Sequence, residues 1–297
     1  MPTVSTTTIG RFAPSPSGPL HFGSLIAALG SYLQAKSQHG QWLVRMEDID
    51  TPRMVPGADS DILRTLEQCG LHWDGPVLYQ SQRLARYQQV FTQLQQQNLL
   101  YGCQCSRARI SALGGLYDNR CAPLQLCQGN LAWRLRSDTV DTDFTDLVFG
   151  PQRIATELAR EDYIVKRRDG LFAYQLVVVV DDIDQGITEV IRGADLLQMT
   201  PRQQAMCRLL GADAPLYGHL PLAVIEAGFK LSKQNHAAPV RQWPLPAIIY
   251  AALCFLGQQP PSQLQHEPPA QQLNWALANW QLSKVPAQME ISSTEFR

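Results

Sequence analysis

The chain has 297 residues, a formal net charge of -1 and 17% charged side chains, which excludes an overall basic footprint and leaves local Arg and Lys patches to meet any nucleic-acid partner. At 45% hydrophobic residues it can bury a core, as one large domain or two. The odd number of cysteines, seven, the absence of a cationic or apolar leader and the shortness of the runs LVVVV and IIYAALCFL predict a soluble, cytoplasmic protein with reduced thiols and no membrane span.

TTTIGRF, rich in β-branched residues and followed by Pro14 and Pro16, predicts a strand. A helix carrying Leu25, Leu29, Tyr32 and Leu33 at helical spacing follows, with Ser17 as its expected cap and Gly40 closing it before a second strand, WLVRMEDI. Asp61 to Cys69 and Gln82 to Leu99 predict two further helices. From Tyr101 the pattern breaks into Gly, Cys and Arg, then resumes in short alternating strands such as LAWRLR, the mark of an insertion. FAYQLVVVVDD, a continuous apolar run, is expected as a buried parallel strand, and TPRQQAMCRLLG as a capped helix. A Gln- and Pro-containing tail ends in an amphipathic helix near Leu273 to Leu282. The expected organisation is a first half of an α/β core over 1–100, an insertion over 101–165, a second half over 166–240 and a short helical segment over 241–297.

An open parallel sheet places its ligand crevice beyond the carboxyl ends of its strands, here after RF, after VVVVDD and after LAVI. The loop after RF is Pro-Ser-Pro-Ser-Gly-Pro, which has little backbone entropy to lose and precedes a helix N-terminus that attracts anions. His21 and the small residues Gly23 and Ser24 let a phosphate approach the first helical turn. Lys230 and Lys233 bracket Leu-Ser on a later loop, where they can fold over a triphosphate as mobile point charges.

RFAPSPSGPLHFG, VRMEDID at 44–50, Tyr174 with VVVVDD, IRGADLL at 191–197, TPRQ at 200–203 and KLSK together resemble the catalytic half of the glutamyl-tRNA synthetases, class I enzymes. HFGS stands for the "HIGH" signature and KLSKQ for "KMSKS", and the similarity runs from about Thr8 to about His236. The resemblance implies a Rossmann-like parallel-sheet core with an inserted, zinc-containing subdomain that resembles the family's acceptor-binding part, and ATP-dependent activation of L-glutamate as an adenylate. It implies an L-glutamate site of Arg11, Phe12, Ala13, Pro14, Ser15, Glu47, Tyr174 and Arg192, an ATP site of His21, Gly23, Lys230, Ser232 and Lys233, and Mg2+ on the phosphates. His21 and Lys233 would stabilise charge at phosphorus, no protein nucleophile being needed. The side-chain chemistry agrees, since two carboxylates and an ammonium call for guanidinium forks and an acidic or hydroxyl partner. The sequence departs from the family at Ala194, where an acidic residue is usual, and at Ser24 and Gln234.

Residues after Lys233 are too few for the family's anticodon-binding domain, so none is expected. That shortening resembles a branch of the family in which glutamate passes to queuosine at the wobble position of tRNA(Asp), a cis-diol acceptor as the terminal ribose is. The alternatives are a short enzyme charging the tRNA 3′ end and an idle, zinc-stabilised RNA-binding paralogue; a monomer is expected in each case.

Within the insertion, Cys103, Cys105 and Cys121 can make three corners of a tetrahedral zinc site, among glycines that make a poor apolar core. The resemblance makes Tyr117 the fourth ligand, and Cys127 is the conventional alternative. Cys69, Cys207 and Cys254 fall on helical apolar faces and are expected in the core. Arg107, Arg109, Arg120, Arg134 and Arg136 make the insertion locally basic, as phosphate contacts require.

Overall fold

Proline ends the first strand where the sequence says it must. The structure is a computed structural model that describes residues 7–226, 228–230 and 238–293. Strand β1 (Ile9–Phe12) runs parallel to β2 (Gln41–Met46), Arg11 opposite Leu43, and stops before Pro14 and Pro16, which have no N–H for the ladder. Helix α1 (Phe22–Ser37) crosses between them and buries Leu25, Leu29 and Leu33. Its N-cap is His21, not Ser17: Gly18 at φ 138° and Pro19 keep the chain out of helical conformation, and the imidazole Nδ1 accepts from the Ser24 amide at 3.3 Å. Gly40 is required at the next turn because a Cβ there would lie 2.3 Å from the Thr8 carbonyl oxygen.

Helix α2 (Ala58–Gln68) leads to β3 (Leu78–Tyr79), parallel to β2, and then to α3 (Leu84–Gln96). The next segment contains β4 (Leu100–Cys103), α4 (Arg107–Ala112) and β5 (Ala132–Leu135), then the hairpin β6 (Asp143–Asp146) and β7 (Gly150–Arg153), the single turn α5 (Thr156–Ala159) and β8 (Tyr163–Lys166). β4, β5 and β8 form an antiparallel sheet, whereas β6 pairs back onto the main sheet.

FAYQLVVVVDD is a helix, α6 (Tyr174–Asp184), which corrects the expected strand. Val177, Val178, Val179 and Val180 are all buried because α6 is enclosed on every side, so the run carries no periodicity by which a buried helix differs from a buried strand. The chain continues through β9 (Glu189–Gly193), α7 (Thr200–Leu209), β10 (Leu216–Leu220), β11 (Leu222–Glu226) and β12 (Phe229–Lys230). β9 and β10 are parallel, and β9 lies beside β1, joined through the Thr188 amide to the Ile9 carbonyl at 2.9 Å. The core order is therefore β3-β2-β1 followed by β9-β10-β6-β7. Thr200 does not cap α7; its hydroxyl accepts from Arg192.

The tail is part of the core. Helices α8 (Leu245–Phe255) and α9 (Pro269–Asn279) pack on α1, with Phe22 edge-on to Phe255 at 5.8 Å, and β13 (Glu290–Ser292) pairs parallel with β11. Cys69 and Cys207 are buried as expected, but Cys254 is exposed. Among the described residues no helix is long and apolar enough to cross a membrane.

Candidate active site and metal cluster

The carboxyl ends of β1, β2 and β9 converge on a cavity of about 170 Å³ lined by Arg11, Phe12, Ala13, Glu47, Tyr174 and Arg192. Strand geometry brings the two arginines there: Arg11 is the penultimate residue of β1 and Arg192 that of β9. Of the expected glutamate set, Ser15 lines an adjoining cavity that shares Glu47 and Tyr174 with the first, and Pro14 contributes a backbone carbonyl that accepts from the Glu47 amide at 3.0 Å.

Arg11 is buried, and its Nε and Nη2 donate to Asp182 Oδ1 and Oδ2 at 3.1 and 3.3 Å. Asp182 also accepts from Arg45 Nη1 at 2.8 Å. Burial pushes the Asp182 carboxyl up, but the two guanidiniums hold it below the usual carboxylate range, so it remains an anion that fixes Arg11 through Nε and Nη2. Glu47 is different. Burial pushes its carboxyl up to about 7, against the opposing pull of Arg45 and Arg11, with Arg45 Nη2 3.6 Å from its Oε1. Tyr174 begins α6, and burial raises its hydroxyl above the ordinary phenol range, which leaves it a protonated donor at neutral pH.

Arg192 is 5% exposed and has no carboxylate partner among the described residues. Its Nε donates to His219 Nε2 at 3.0 Å, Nη1 to Gln203 Oε1 at 2.6 Å, and Nη2 to the Leu196 carbonyl at 3.1 Å and the Thr200 hydroxyl at 3.0 Å. All four partners are neutral acceptors. A buried guanidinium held by neutral groups leaves its charge to be balanced from the cavity, and a carboxylate does that at least cost.

A second cavity, about 190 Å³, adjoins the first through Ala27 and Gly193 and is lined by His21, Gly23, Ser24, Asp195, Leu220 and Leu222. The first turn of α1 opens onto it and contains no acidic residue, so the positive end of the helix dipole lies at the cavity, although the Ser24 and Leu25 amides are taken by His21. Gly193 lies between the cavities, where a Cβ would come within 2.8 Å of Asp195 Oδ1 and displace that side chain. β12 places position 230 opposite Val224; Ser232, Lys233 and the side chain of Lys230 lie outside the described residues.

The thiols of Cys103, Cys105 and Cys121 lie within 4.8 Å of one another. Cys105 and Cys121 are 3.5 Å apart and Cys103 is 3.7 Å from the Tyr117 hydroxyl, close to the ~3.8 Å between corners of a tetrahedron with metal–sulfur bonds of about 2.3 Å. Cys127 is exposed and outside this cluster. Arg134 is not a free basic residue: it is buried, stacks on the Tyr117 ring at 3.6 Å and points Nε at Cys103 Sγ at 3.4 Å. Burial opposes ionisation of Cys103, yet Arg134 and the Cys105 amide hold its thiol below the ordinary range, whereas burial and the neighbouring thiols push Cys105 up to about 11. Arg109 pairs with Asp118 at 2.5 Å.

Beyond the glutamate-set cavity the surface continues as a trough. The cavity containing Ser15 shares Arg167 with one of about 440 Å³, lined by Cys105, Arg107, Asn130, Ile164, Arg168 and Asp169, against the cysteine cluster. Residues that sequence reasoning missed are the ones that hold the others in place: Arg45 and Asp182 under Arg11, and Gln203, His219 and Asp146 behind Arg192. The paired aspartates of VVVVDD signalled the first group, but as the end of a strand.

The chain matches the family model of the catalytic domain of class I tRNA synthetases (E and Q) over residues 7–116 and 125–266. It is 53% identical to the glutamyl-Q tRNA(Asp) synthetase of Escherichia coli O157:H7 over 289 residues, 97% of this chain and 94% of that one. The identity is also 53% to that of Vibrio vulnificus (strain CMCP6), covering 97% and 95%. A solved glutamate tRNA ligase from Elizabethkingia meningosepticum in complex with its amino acid superposes with a TM-score of 0.80 at 26% identity, over 98% of this chain and 68% of that one.

Proposed function

The chain belongs to the class I tRNA synthetases of the E and Q kind, and from that premise we propose that it activates L-glutamate with ATP and transfers the glutamyl group to queuosine at the wobble position of the tRNA(Asp) anticodon. The observation that carries the glutamate half is Arg192, a buried cation lining a cavity that Arg11 also lines. Arg11 and Arg192 take the substrate carboxyl groups, Glu47 accepts from its ammonium, and the Tyr174 hydroxyl donates to a carboxylate oxygen.

ATP lies across the α1 N-terminus, with His21 and Gly23 at its phosphates and Lys230, Ser232 and Lys233 closing over them. An α-carboxylate oxygen attacks the α-phosphorus in line and pyrophosphate leaves as His21 and Lys233 stabilise the developing charge; Mg2+ bound with ATP would supply further charge neutralisation. A hydroxyl of the queuosine cis-diol then attacks the adenylate carbonyl, loses its proton and releases AMP. Cys103, Cys105, Tyr117 and Cys121 would hold one Zn2+, which supplies structure and no chemistry to the reaction.

The test uses labelled glutamate, ATP and Mg2+ with bulk tRNA from cells that make queuosine and from cells that cannot, followed by nuclease mapping. Label confined to the anticodon of queuosine-containing tRNA is the expected outcome. Label on the terminal adenosine of both pools would replace this reading with 3′-end charging, and label in neither pool would reject both.

A further inference from the structure

Behind Arg192 lies a buried polar chain that touches no substrate cavity. Asp146, at the end of β6, accepts on Oδ1 from the amides of Val148 and Phe149, both at 2.9 Å, and from that of His219 at 3.3 Å. Its other oxygen, Oδ2, is 2.6 Å from His219 Nδ1. His219 is fully buried on β10, and its Nε2 faces Arg192 Nε at 3.0 Å. A guanidinium can only donate, so Nε2 must carry a lone pair and the ring proton must sit on Nδ1, directed at Asp146. Burial and the Arg192 charge keep the imidazole below its ordinary range against the pull of Asp146, which agrees with that neutral tautomer.

We propose that His219, held in its Nδ1–H tautomer by Asp146, is a positioning residue that fixes the Arg192 guanidinium so that one Nη1 hydrogen is directed at the substrate carboxylate. A guanidinium has five N–H groups. His219, Gln203, Leu196 and Thr200 take one each, which leaves a single donor for the cavity. Arg192 therefore recognises its ligand through one directed hydrogen bond and its charge, not through a bidentate fork, and the angle of that bond depends on the acceptor at Nε. Removing the acceptor strands a buried N–H and frees the guanidinium to turn toward another partner. This inference rests on the reading that the cavity takes glutamate.

Three variants test it in glutamate-dependent exchange of pyrophosphate into ATP, with L-glutamate binding measured by calorimetry alongside. His219→Phe keeps a ring and removes the acceptor; it is expected to raise KM for glutamate about 10- to 100-fold and to leave KM for ATP within about twofold. His219→Gln returns an acceptor oxygen within reach of Nε and is expected to restore KM for glutamate to within about threefold. Asp146→Asn must keep its oxygen toward the three amides, so its NH2 faces the imidazole, forces the proton onto Nε2 and reproduces the His219→Phe defect. If His219→Phe does not fold, the contrast between Asp146→Asn and His219→Gln decides the question. Unchanged KM for glutamate in Asp146→Asn, or an equal rise in both KM values with no rescue by Gln, overturns the proposal. A wild-type protein without glutamate-dependent exchange or binding overturns the functional reading itself, whereas wild-type exchange with unaffected variants overturns only this inference.

Discussion

At the scale of single residues the site is built from buried charges, of which Arg192 has no carboxylate partner among the described residues and Glu47 meets its cationic partner, Arg45, only at 3.6 Å. Glu47 shows what this costs. A carboxyl whose folded value is raised to about 7 binds its proton more tightly in the native than in the unfolded chain, so its contribution to stability is present at acid pH and is lost as pH rises toward 7. From the ordinary 4.5 the gap limits the loss to ~3 kcal/mol, at about 1.4 kcal/mol for each pK step. Glu47→Gln is therefore expected to raise the Tm at pH 8 and to change it little at pH 4.5. The same substitution should weaken glutamate binding by 10-fold or more at pH 8, because the substrate ammonium loses its anionic partner. In the wild type, KM for glutamate should rise as pH falls below about 7. Thermal denaturation and exchange kinetics across pH 5–9 check both signs; a variant less stable than wild type at pH 8 would show that Glu47 is stabilised by Arg45 and Arg11 more than burial penalises it.

At the scale of elements, the motif residues were legible in the sequence and their supports were not. Arg11, Glu47, Tyr174 and Arg192 follow from motif order, and the structure brings them into one cavity. α6 was misread because a run buried all round carries neither the 2.0 nor the 3.6 period, and valine's preference for strands then decides wrongly. The difference has a consequence for the site: as a helix, the run delivers Tyr174 to the cavity at one end and Asp182 to Arg11 two turns later, where a strand would have held the two residues roughly 26 Å apart. The tail reads in sequence as a short helical segment because nothing local signals that β13 pairs with β11. The cysteine cluster was readable by spacing except for its fourth corner, which depends on the Tyr117 hydroxyl reaching Cys103. One equivalent of zinc per chain is expected by elemental analysis, retained in Cys127→Ser and lost in Cys103→Ser. Stripping it should melt the sheet of β4, β5 and β8 before the core, since structural zinc contributes folding free energy on the order of 10 kcal/mol. Zinc retained in Tyr117→Phe and lost in Cys127→Ser would assign the fourth corner to Cys127.

At the scale of the whole molecule, a chain with almost no net charge must find a polyanion through local patches. Sequence pointed to five arginines between 107 and 136, but the fold spends several of them elsewhere: Arg134 on Tyr117 and Cys103, Arg109 on Asp118. The side chains of Arg107 and Arg168, in contrast, are exposed and make no hydrogen bond or ion pair among the described residues, and they line the trough that runs from the cysteine cluster through Arg167 to Glu47 and Tyr174. An RNA backbone laid along that trough would reach the activated carboxyl while its phosphates met both arginines. Arg107→Ala with Arg168→Ala is therefore expected to weaken tRNA binding by 10-fold or more and to reduce the slope of log affinity against log salt by about 2, one for each lost phosphate contact. Glutamate-dependent pyrophosphate exchange should be unchanged, because neither residue lines the two cavities assigned to glutamate and ATP. Filter binding over a salt series measures the first pair of quantities and exchange the last. An unchanged salt slope would remove the trough from the RNA path, and a loss of exchange in step with binding would mean that activation itself depends on these arginines.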